Sequence, residues 1–281
     1  MSRRTWIDGK TVVVTGASSG IGRKLTQMLI ERNDCHVIGI GRCIEKFEAL
    51  SMELGEKKDH LEYYTFDVSD KSAWVNFAIH MRERNIDVII NNAGVLPPFA
   101  SFNHLAEWSE AETGDRAEAL ERVMKINFLS VLYSCAYILP IVERSTTPAL
   151  INVASSAGLC ALPGISVYSA SKAATKNFTE SLRLEKDYYV GLICPGFTRT
   201  DIFRNQHRSM DGKLIDMIAT TLEKMSRKIY RGIIHRKRRM VFGLDAHAMD
   251  GLYRHFPRAS LTFFRDVMRA SHAEIFRDIF E

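Results

Sequence analysis

Tyr168 and Lys172 are four residues apart in the run YSASKAA, a spacing that puts both on one face of a helix. A phenol beside an ammonium has acid–base chemistry. Tyrosine ordinarily titrates near 10, so only about 0.1% is phenolate at pH 7. A neighbouring cation favours the anion, and a lowering of about 3 units corresponds to roughly 4 kcal/mol of differential stabilisation. Such a tyrosine exchanges a proton with a substrate oxygen. Ser155 and Ser156, after the apolar run ALINVA at 149–154, are placed to hold that oxygen by a hydrogen bond. Asn127 stands between Ile126 and Phe128 in an apolar-striped segment; once buried, it needs partners and bends or opens the helix locally. A Tyr-x-x-x-Lys spacing alone is common, so these groups gain meaning only from the elements that position them.

The first such element is TGASSGIG at 15–22, between the β-branched run TVVV at 11–14 and a helix over 23–30 with Leu25, Met28 and Leu29 on one face. A strand-to-helix turn built from Gly16, Ser18, Ser19, Gly20, Ile21 and Gly22 lets backbone approach a pyrophosphate and aims free N–H groups and the helix dipole at it. The second strand, 35–40, ends at Gly41-Arg42. Turns that bind NAD usually place an acidic residue there, on the ribose 2′-hydroxyl. Here a guanidinium suited to a 2′-phosphate follows glycine, which favours NADP(H), with NAD(H) as the alternative. A helix over 44–54 leads to the third strand, 61–66, and to Asp67-Val68, where a carboxylate can accept from an adenine amino group. Ser69 or Asp70 caps the helix that carries Trp74, Phe77, Ala78 and Met81.

The fourth strand, 87–90, runs into NNAG at 91–94; Ala93 and Gly94 leave room for a flat ligand, and Asn91 and Asn92 can tie strand ends together. A long helix over 120–139, a strand over 149–154, a helix over 168–184, a strand over 189–194 and a last strand over 240–243 complete the reading. This alternation predicts an α/β fold, a Rossmann-type doubly wound parallel sheet with its ligand at the carboxyl ends of the strands. Gly16, Arg42, Asp67 and Asn91 all fall at those ends.

The totals are those of a globular chain: 281 residues, 46% hydrophobic and 25% charged. A net charge of +5 is too small an excess to imply nucleic acid. Five scattered cysteines without Cys-x-x-Cys or a His cluster point to reduced thiols and no metal site. With no signal-like N-terminal run and no apolar stretch long enough to span a membrane, the expected location is cytoplasmic. No Gly-Lys-Ser/Thr follows the glycines, which excludes a P-loop nucleotidase, and no ligand spacing suggests a metal hydrolase.

Together TGASSGIG, NNAG, Asn127, Ser155, YSASK at 168–172 and Pro195-Gly196 resemble the short-chain dehydrogenase/reductase family, in its compact single-domain branch, over about residues 9–200. The resemblance implies a three-layer αβα sandwich with sheet order 3-2-1-4-5-6-7, and one dinucleotide-binding and catalytic domain over 1–281. It implies Tyr168 as general acid/base and Ser155, thirteen residues before it, as anchor of the substrate oxygen. Lys172 would bond the nicotinamide ribose and lower the tyrosine pKa, and Asn127 would hold a water in a proton relay. Pro195, Gly196, Thr198 and Thr200 are expected at the cofactor, although Thr198 stands where the family usually has an aliphatic residue. A homodimer or homotetramer, through the helices bearing Asn127 and Tyr168, is also implied. The expected activity interconverts a small-molecule alcohol and a ketone or aldehyde. The rival, a catalytically silent NADP(H)-sensing protein of the same fold, is opposed by the intact Asn127, Ser155, Tyr168 and Lys172.

Four segments carry separate expectations. Residues 97–115, with Glu107, Glu110, Glu112 and Asp115, read as a solvated insertion, or else as a pocket rim through Phe99, Phe102 and Trp108. Residues 197–226 read as a substrate-covering segment; Ile202, Phe203, Met210, Leu214, Ile215, Met217, Ile218 and Leu222 give it an apolar inner face suited to a lipophilic substrate. The basic run 235–239 reads as a solvated face. Residues 244–281 read as a helical extension that docks on the domain or on a second subunit; contact of this helix and the basic run with an anionic membrane surface is the alternative.

Overall fold

Short apolar runs without alternation must be buried on both sides, and the five inner strands of the sheet are so buried, while its two edge strands are partly exposed. The computed structural model describes residues 4–203, 206, 209 and 212–280. Strands β1 (Thr11–Thr15), β2 (His36–Gly41), β3 (Leu61–Thr65), β4 (Val88–Asn91), β5 (Ala149–Val153) and β6 (Tyr189–Pro195) alternate with helices α1 (Gly20–Asn33), α2 (Ile44–Leu54), α3 (Lys71–Met81) and, between β4 and β5, α4 (Phe102–Thr113), α5 (Glu118–Met124), α6 (Ser130–Tyr137) and α7 (Leu139–Val142). Helix α8 (Ser166–Glu185) joins β5 to β6. Two short strands, β7 (Thr198–Arg199) and β8 (Thr220–Thr221), pair with each other; α9 (Lys213–Ile218) lies between them, and α10 (Leu222–Ile234) leads to β9 (Arg239–Phe242). Helices α11 (Leu244–His255), α12 (Pro257–Ala270) and α13 (Arg277–Phe280) follow.

The main sheet is parallel throughout, in the order β3-β2-β1-β4-β5-β6-β9. This is the expected order, with β9 as the seventh strand of the sheet. Its two faces bury alternate residues: Val12 and Val14 pack with Leu25, Leu29 and Ile229, and Val13 packs with Trp74, Phe77 and Met81. Those are the two outer helical layers of the doubly wound fold. Asp70, rather than Ser69, caps α3, accepting from Ser72 N at 2.8 Å.

Between the layers runs a buried polar ladder. Asn91 Nδ2 donates to Asn152 Oδ1 at 2.9 Å, and Asn152 Nδ2 donates to Thr179 Oγ1 at 2.9 Å. It fixes the register of β4 on β5 and of both on α8, because an amide pair satisfied at one offset is orphaned at any other.

Two expectations change. The helix over 120–139 is not continuous: a π-turn, Lys125–Leu129, opens it at Asn127. Residues 97–115 are not a loop, because Ser101 caps α4 and Gly114 (φ 81°) ends it; the acidic residues do face solvent, while Leu105 and Ser109 are buried. The basic run is solvated over 235–238, as expected, and only Arg239 is partly buried. Arg236 stacks 4.7 Å above the Trp6 ring, and Arg239 grips Asp250 with two bonds of 2.7 and 2.6 Å.

The ladder is testable by urea denaturation. Asn152→Ala leaves the Asn91 amide without its partner, so the loss is expected at about 2–3 kcal/mol.

Candidate active site

The carboxyl ends of β1 and β4 are laced together before any site residue is considered. Thr15 Oγ1 accepts from the backbone N–H of Asn92 (2.9 Å) and of Ala93 (3.0 Å), and Asn92 Nδ2 donates back to Thr15 O at 3.0 Å. Gly16, at φ +68°, has no space for a Cβ, which would sit 3.0 Å from Asn92 Nδ2 and 3.1 Å from Ala93 Cα. A Cβ at Gly22 would strike the Gly16 carbonyl. The turn is therefore glycine-rich for close packing as well as for backbone angle. It ends at α1, whose N-terminus has no side-chain cap.

Above this lacing lies a cleft of ≈ 380 Å³. Gly16, Ser18, Ser19, Gly20 and Ile21 form one wall, and Arg42, Asp67 and Val68 lie towards β2 and β3. Ala93, Gly94, Tyr168, Lys172, Pro195 and Thr200 close the other side. Of the residues expected here, Gly22 packs under the turn, Asn91 is turned into the sheet with its amide on Asn152, and Gly196 and Thr198 line the neighbouring cavity instead. Lys46 and Asn92 line the cleft without having been singled out as contacts. Lys46 lies in the first turn of α2, four residues after Arg42, and its charge beside Arg42 is the signal that could have found it.

Arg42 is 60% exposed, 3.9 Å from Asp67 Oδ2, and Arg122 reaches the same oxygen at 3.3 Å. Burial alone would raise the Asp67 carboxyl. Its bonds from the Ser69 amide and hydroxyl, with the two arginines, bring it below the usual carboxylate range instead. One Asp67 oxygen is thus already occupied, and the other balances cationic charge at the cleft edge.

Tyr168 and Lys172 lie one turn apart on α8, both buried. Ser155 lies two residues after β5, accepts from Ala157 N at 3.2 Å, capping the turn Ser156–Gly158, and is near enough to Tyr168 to ease loss of its proton. Lys172 Nζ donates to Val153 O at 3.0 Å and lies 5.9 Å from the centre of the Tyr168 ring. Asn127 Oδ1 accepts from Val95 N (2.8 Å), and its Nδ2 donates to Val95 O (2.9 Å) and Ser171 Oγ (3.0 Å). Its own carbonyl accepts from Thr175 Oγ1 at 3.0 Å. The π-turn thus presents Asn127 to both the β4 loop and α8. Asn127 itself lines neither cavity.

Burial raises the Tyr168 phenol, opposed only by nearby Ser155. Burial also lowers Lys172, to about 8. Both shifts favour the neutral forms, and the lysine is directed at Val153.

A second cavity of ≈ 380 Å³ meets the first at Tyr168, with Ile21, Leu96, Pro195, Thr200 and Ile202 common to both. Ser155 opens into it, and its walls are otherwise mostly apolar. Ile202, Phe203, Leu214, Met217 and Ile218 line it as the inner face of 197–226 was expected to. Ile215 is buried behind them, Leu222 lies apart beside Arg23 and Lys46, and Met210 falls outside the described residues. Phe99 is in the wall, whereas Phe102 faces solvent and Trp108 packs against Leu105. The extension was read as a docking or membrane-contacting element and not as part of the pocket, yet Phe263, Phe264, Met268 and Phe276 complete the wall.

The family model described as short chain dehydrogenase matches residues 10–211. A protein named 3beta-hydroxysteroid dehydrogenase 2, from Eggerthella lenta, is 33% identical over 202 residues, 69% of this chain and 73% of its own. A benzil reductase ((S)-benzoin forming) of Saccharomyces cerevisiae is 31% identical over 182 residues, 63% of this chain and 66% of its own. Among solved structures, a short-chain dehydrogenase from Sphingobium yanoikuyae in complex with NADPH shares the fold with a TM-score of 0.73 at 23% identity, over 91% of this chain and 96% of that one. The chain belongs to the short-chain dehydrogenase/reductase family, a family of oxidoreductases.

The burial of Lys172 gives a signed prediction. Its folded value of about 8 lies below its ordinary 10.5, so protonation opposes folding. That penalty is full below pH 8 and fades as pH rises to 10.5, where the unfolded chain also loses its proton. Lys172→Met is therefore expected to melt no lower than the parent at pH 7, with a gain of up to on the order of 3 kcal/mol offset by the unpaired Val153 carbonyl. Its advantage should vanish by pH 10.5 in melting curves across that range.

Proposed function

We propose that this chain is an NADP(H)-dependent oxidoreductase that interconverts an alcohol with a ketone or aldehyde on a lipophilic substrate. One observation carries the reading: Tyr168 stands where a glycine-walled cleft and an apolar cavity meet. The cleft fits a flat dinucleotide. A side chain at Gly94 would fill it to within 3.2 Å of both Lys172 Nζ and Asn127 Oδ1. NADPH is the ligand of the related Sphingobium structure, and the hydroxysteroid and benzil relatives are named for bulky lipophilic substrates. The same proposal places residues 197–226 over the substrate and makes the enzyme a cytoplasmic homodimer or homotetramer.

In this reading Gly16, Ser18, Ser19, Gly20 and Ile21 hold the pyrophosphate by backbone and hydroxyl groups at the start of α1. Arg42 binds the 2′-phosphate, with Lys46 adding positive charge. Bound nicotinamide supplies or accepts the hydride. Ser155 holds the substrate oxygen in the second cavity. Tyr168, kept neutral by burial, gives its proton to that oxygen during reduction and recovers one from it in the reverse direction. Lys172 fixes the nicotinamide ribose and, as a cation, eases loss of the tyrosine proton. Asn127 keeps the Val95 loop and α8 in register behind them.

NADPH and NADH oxidation with steroid, retinoid, quinone and aliphatic carbonyls tests this. Tyr168→Phe should lower kcat by about 10²–10⁴-fold and leave NADPH binding intact. Arg42→Ala should raise the KM for NADPH by about tenfold or more while sparing NADH. Tight NADPH binding with no turnover of any carbonyl would favour the sensing rival.

A further inference from the structure

The exposed apolar side chains of this molecule are unevenly placed. Of thirteen large ones among the described residues, seven are Met217 and residues lying within 244–263. Three of these, from three different helices, also line the apolar cavity: Met217 on α9 (66% exposed), Leu244 on α11 (75%) and Phe263 on α12 (52%). The cavity therefore opens outward through an apolar rim.

The rim continues along the helical hairpin. On α11, Leu244, Ala248 and Leu252 follow at a spacing of four, so the exposed Leu252 extends the face whose first two residues line the cavity. Helices α11 and α12 meet at Phe256, and nine consecutive residues, 251–259, are exposed there. Leu261 adds a further exposed apolar group just beyond. Residues 251–263 hold Arg254, His255 and Arg258 and no carboxylate. The nearest preceding acid, Asp250, is paired with Arg239 and Arg254. The basic run 235–239 is not needed here: Arg236 is stacked on Trp6, and Arg239 is only 22% exposed on Asp250, whereas Arg254 on the same carboxylate is 56% exposed.

An apolar rim flanked by cations matches one partner chemistry, the surface of an anionic lipid bilayer. No helix among the described residues is long and apolar enough to cross a membrane, so the contact is superficial. We propose that the α11–α12 hairpin docks on anionic membrane, with Leu252, Phe256 and Leu261 in the acyl boundary and Arg254 and Arg258 among the headgroups. A lipophilic substrate then enters the cavity through Met217, Leu244 and Phe263 without crossing water. The delivery role rests on the oxidoreductase reading, whereas the docking does not.

The test is sedimentation of the full chain with phosphatidylcholine vesicles, with and without phosphatidylserine. The parent should bind the phosphatidylserine vesicles and be released by salt. The pair Phe256→Ser and Leu261→Ser, neither of which lines the cavity, should weaken binding about tenfold or more. Turnover of a water-soluble carbonyl by this variant should match the parent. Arg254→Gln and Arg258→Gln should each cost about fivefold on phosphatidylserine vesicles only, which keeps the test decisive if the first pair misfolds. Absence of parent binding to either vesicle overturns the proposal. So does binding undiminished in all variants, which places the contact elsewhere. A dimer seen by light scattering that the apolar pair dissolves, with no vesicle uptake, assigns the face to a second copy instead. Vesicle binding requires no turnover, so failure of the oxidoreductase reading and failure of docking are separately visible.

Discussion

A buried ammonium organises the centre of this molecule. Lys172 is only 3% exposed, and its hydrogen-bond acceptor is the Val153 carbonyl at the end of β5. A charge held that way tolerates no slack around it. Gly94 faces it from the β4 loop, and the backbone of Gly158 lies so close that a Cβ there would be 2.6 Å from the Lys172 carbonyl. The end of β5 and the loop after β4 thus meet the lysine side chain, and the turn after β5 packs on its backbone in α8. Because Tyr168 is one turn earlier on the same helix, fixing the lysine fixes the phenol. The site's geometry follows from where the ammonium is lodged.

Much of this was legible because it is local. The glycine turn, the strand runs and the limits of α2 depend on neighbours within a few residues, and the expected sheet order matches the observed one. Asn127 announced a break in its helix by being polar among apolar residues, although only the structure shows the π-turn and the three bonds that employ it. What stayed hidden is long-range. Phe263, Phe264, Met268 and Phe276 carry no pattern pointing at Tyr168, because their meeting with it depends on where α12 returns over the sheet ends. The helix α4 was missed for a different reason: its acidic exposed face outweighed the short buried stripe of Leu105, Ala106 and Ser109.

The two cavities divide the chemistry by polarity. The first is walled by backbone, hydroxyls, Arg42 and Asp67, groups that suit a polyanion. The second is mostly apolar and includes Ser155 among its few polar groups. A hydrogen bond from that serine is worth more in such surroundings than in water. Tyr168 can serve both only by lying at their boundary, and that position also keeps its phenol protonated.

The exception on the apolar side is Asp245. It sits in the first turn of α11, and its Oδ2 accepts from Phe197 N at 2.7 Å, while Oδ1 is buried without a partner. Burial holds this carboxyl above its ordinary range. The glycines around it show what it displaces: a Cβ at Gly196 or at Gly243 would collide with its Oδ1. Both are glycine so that one carboxyl can join β6's end to the start of the C-terminal helices. Thr198 and Thr200 follow directly from that junction, and Leu244 and Met249 flank it in the cavity wall. The turn that faces the dinucleotide cleft and the hairpin that closes the substrate side are therefore one mechanical unit. The Asp245–Phe197 bond ties α11 to the strand end on which both cavities meet.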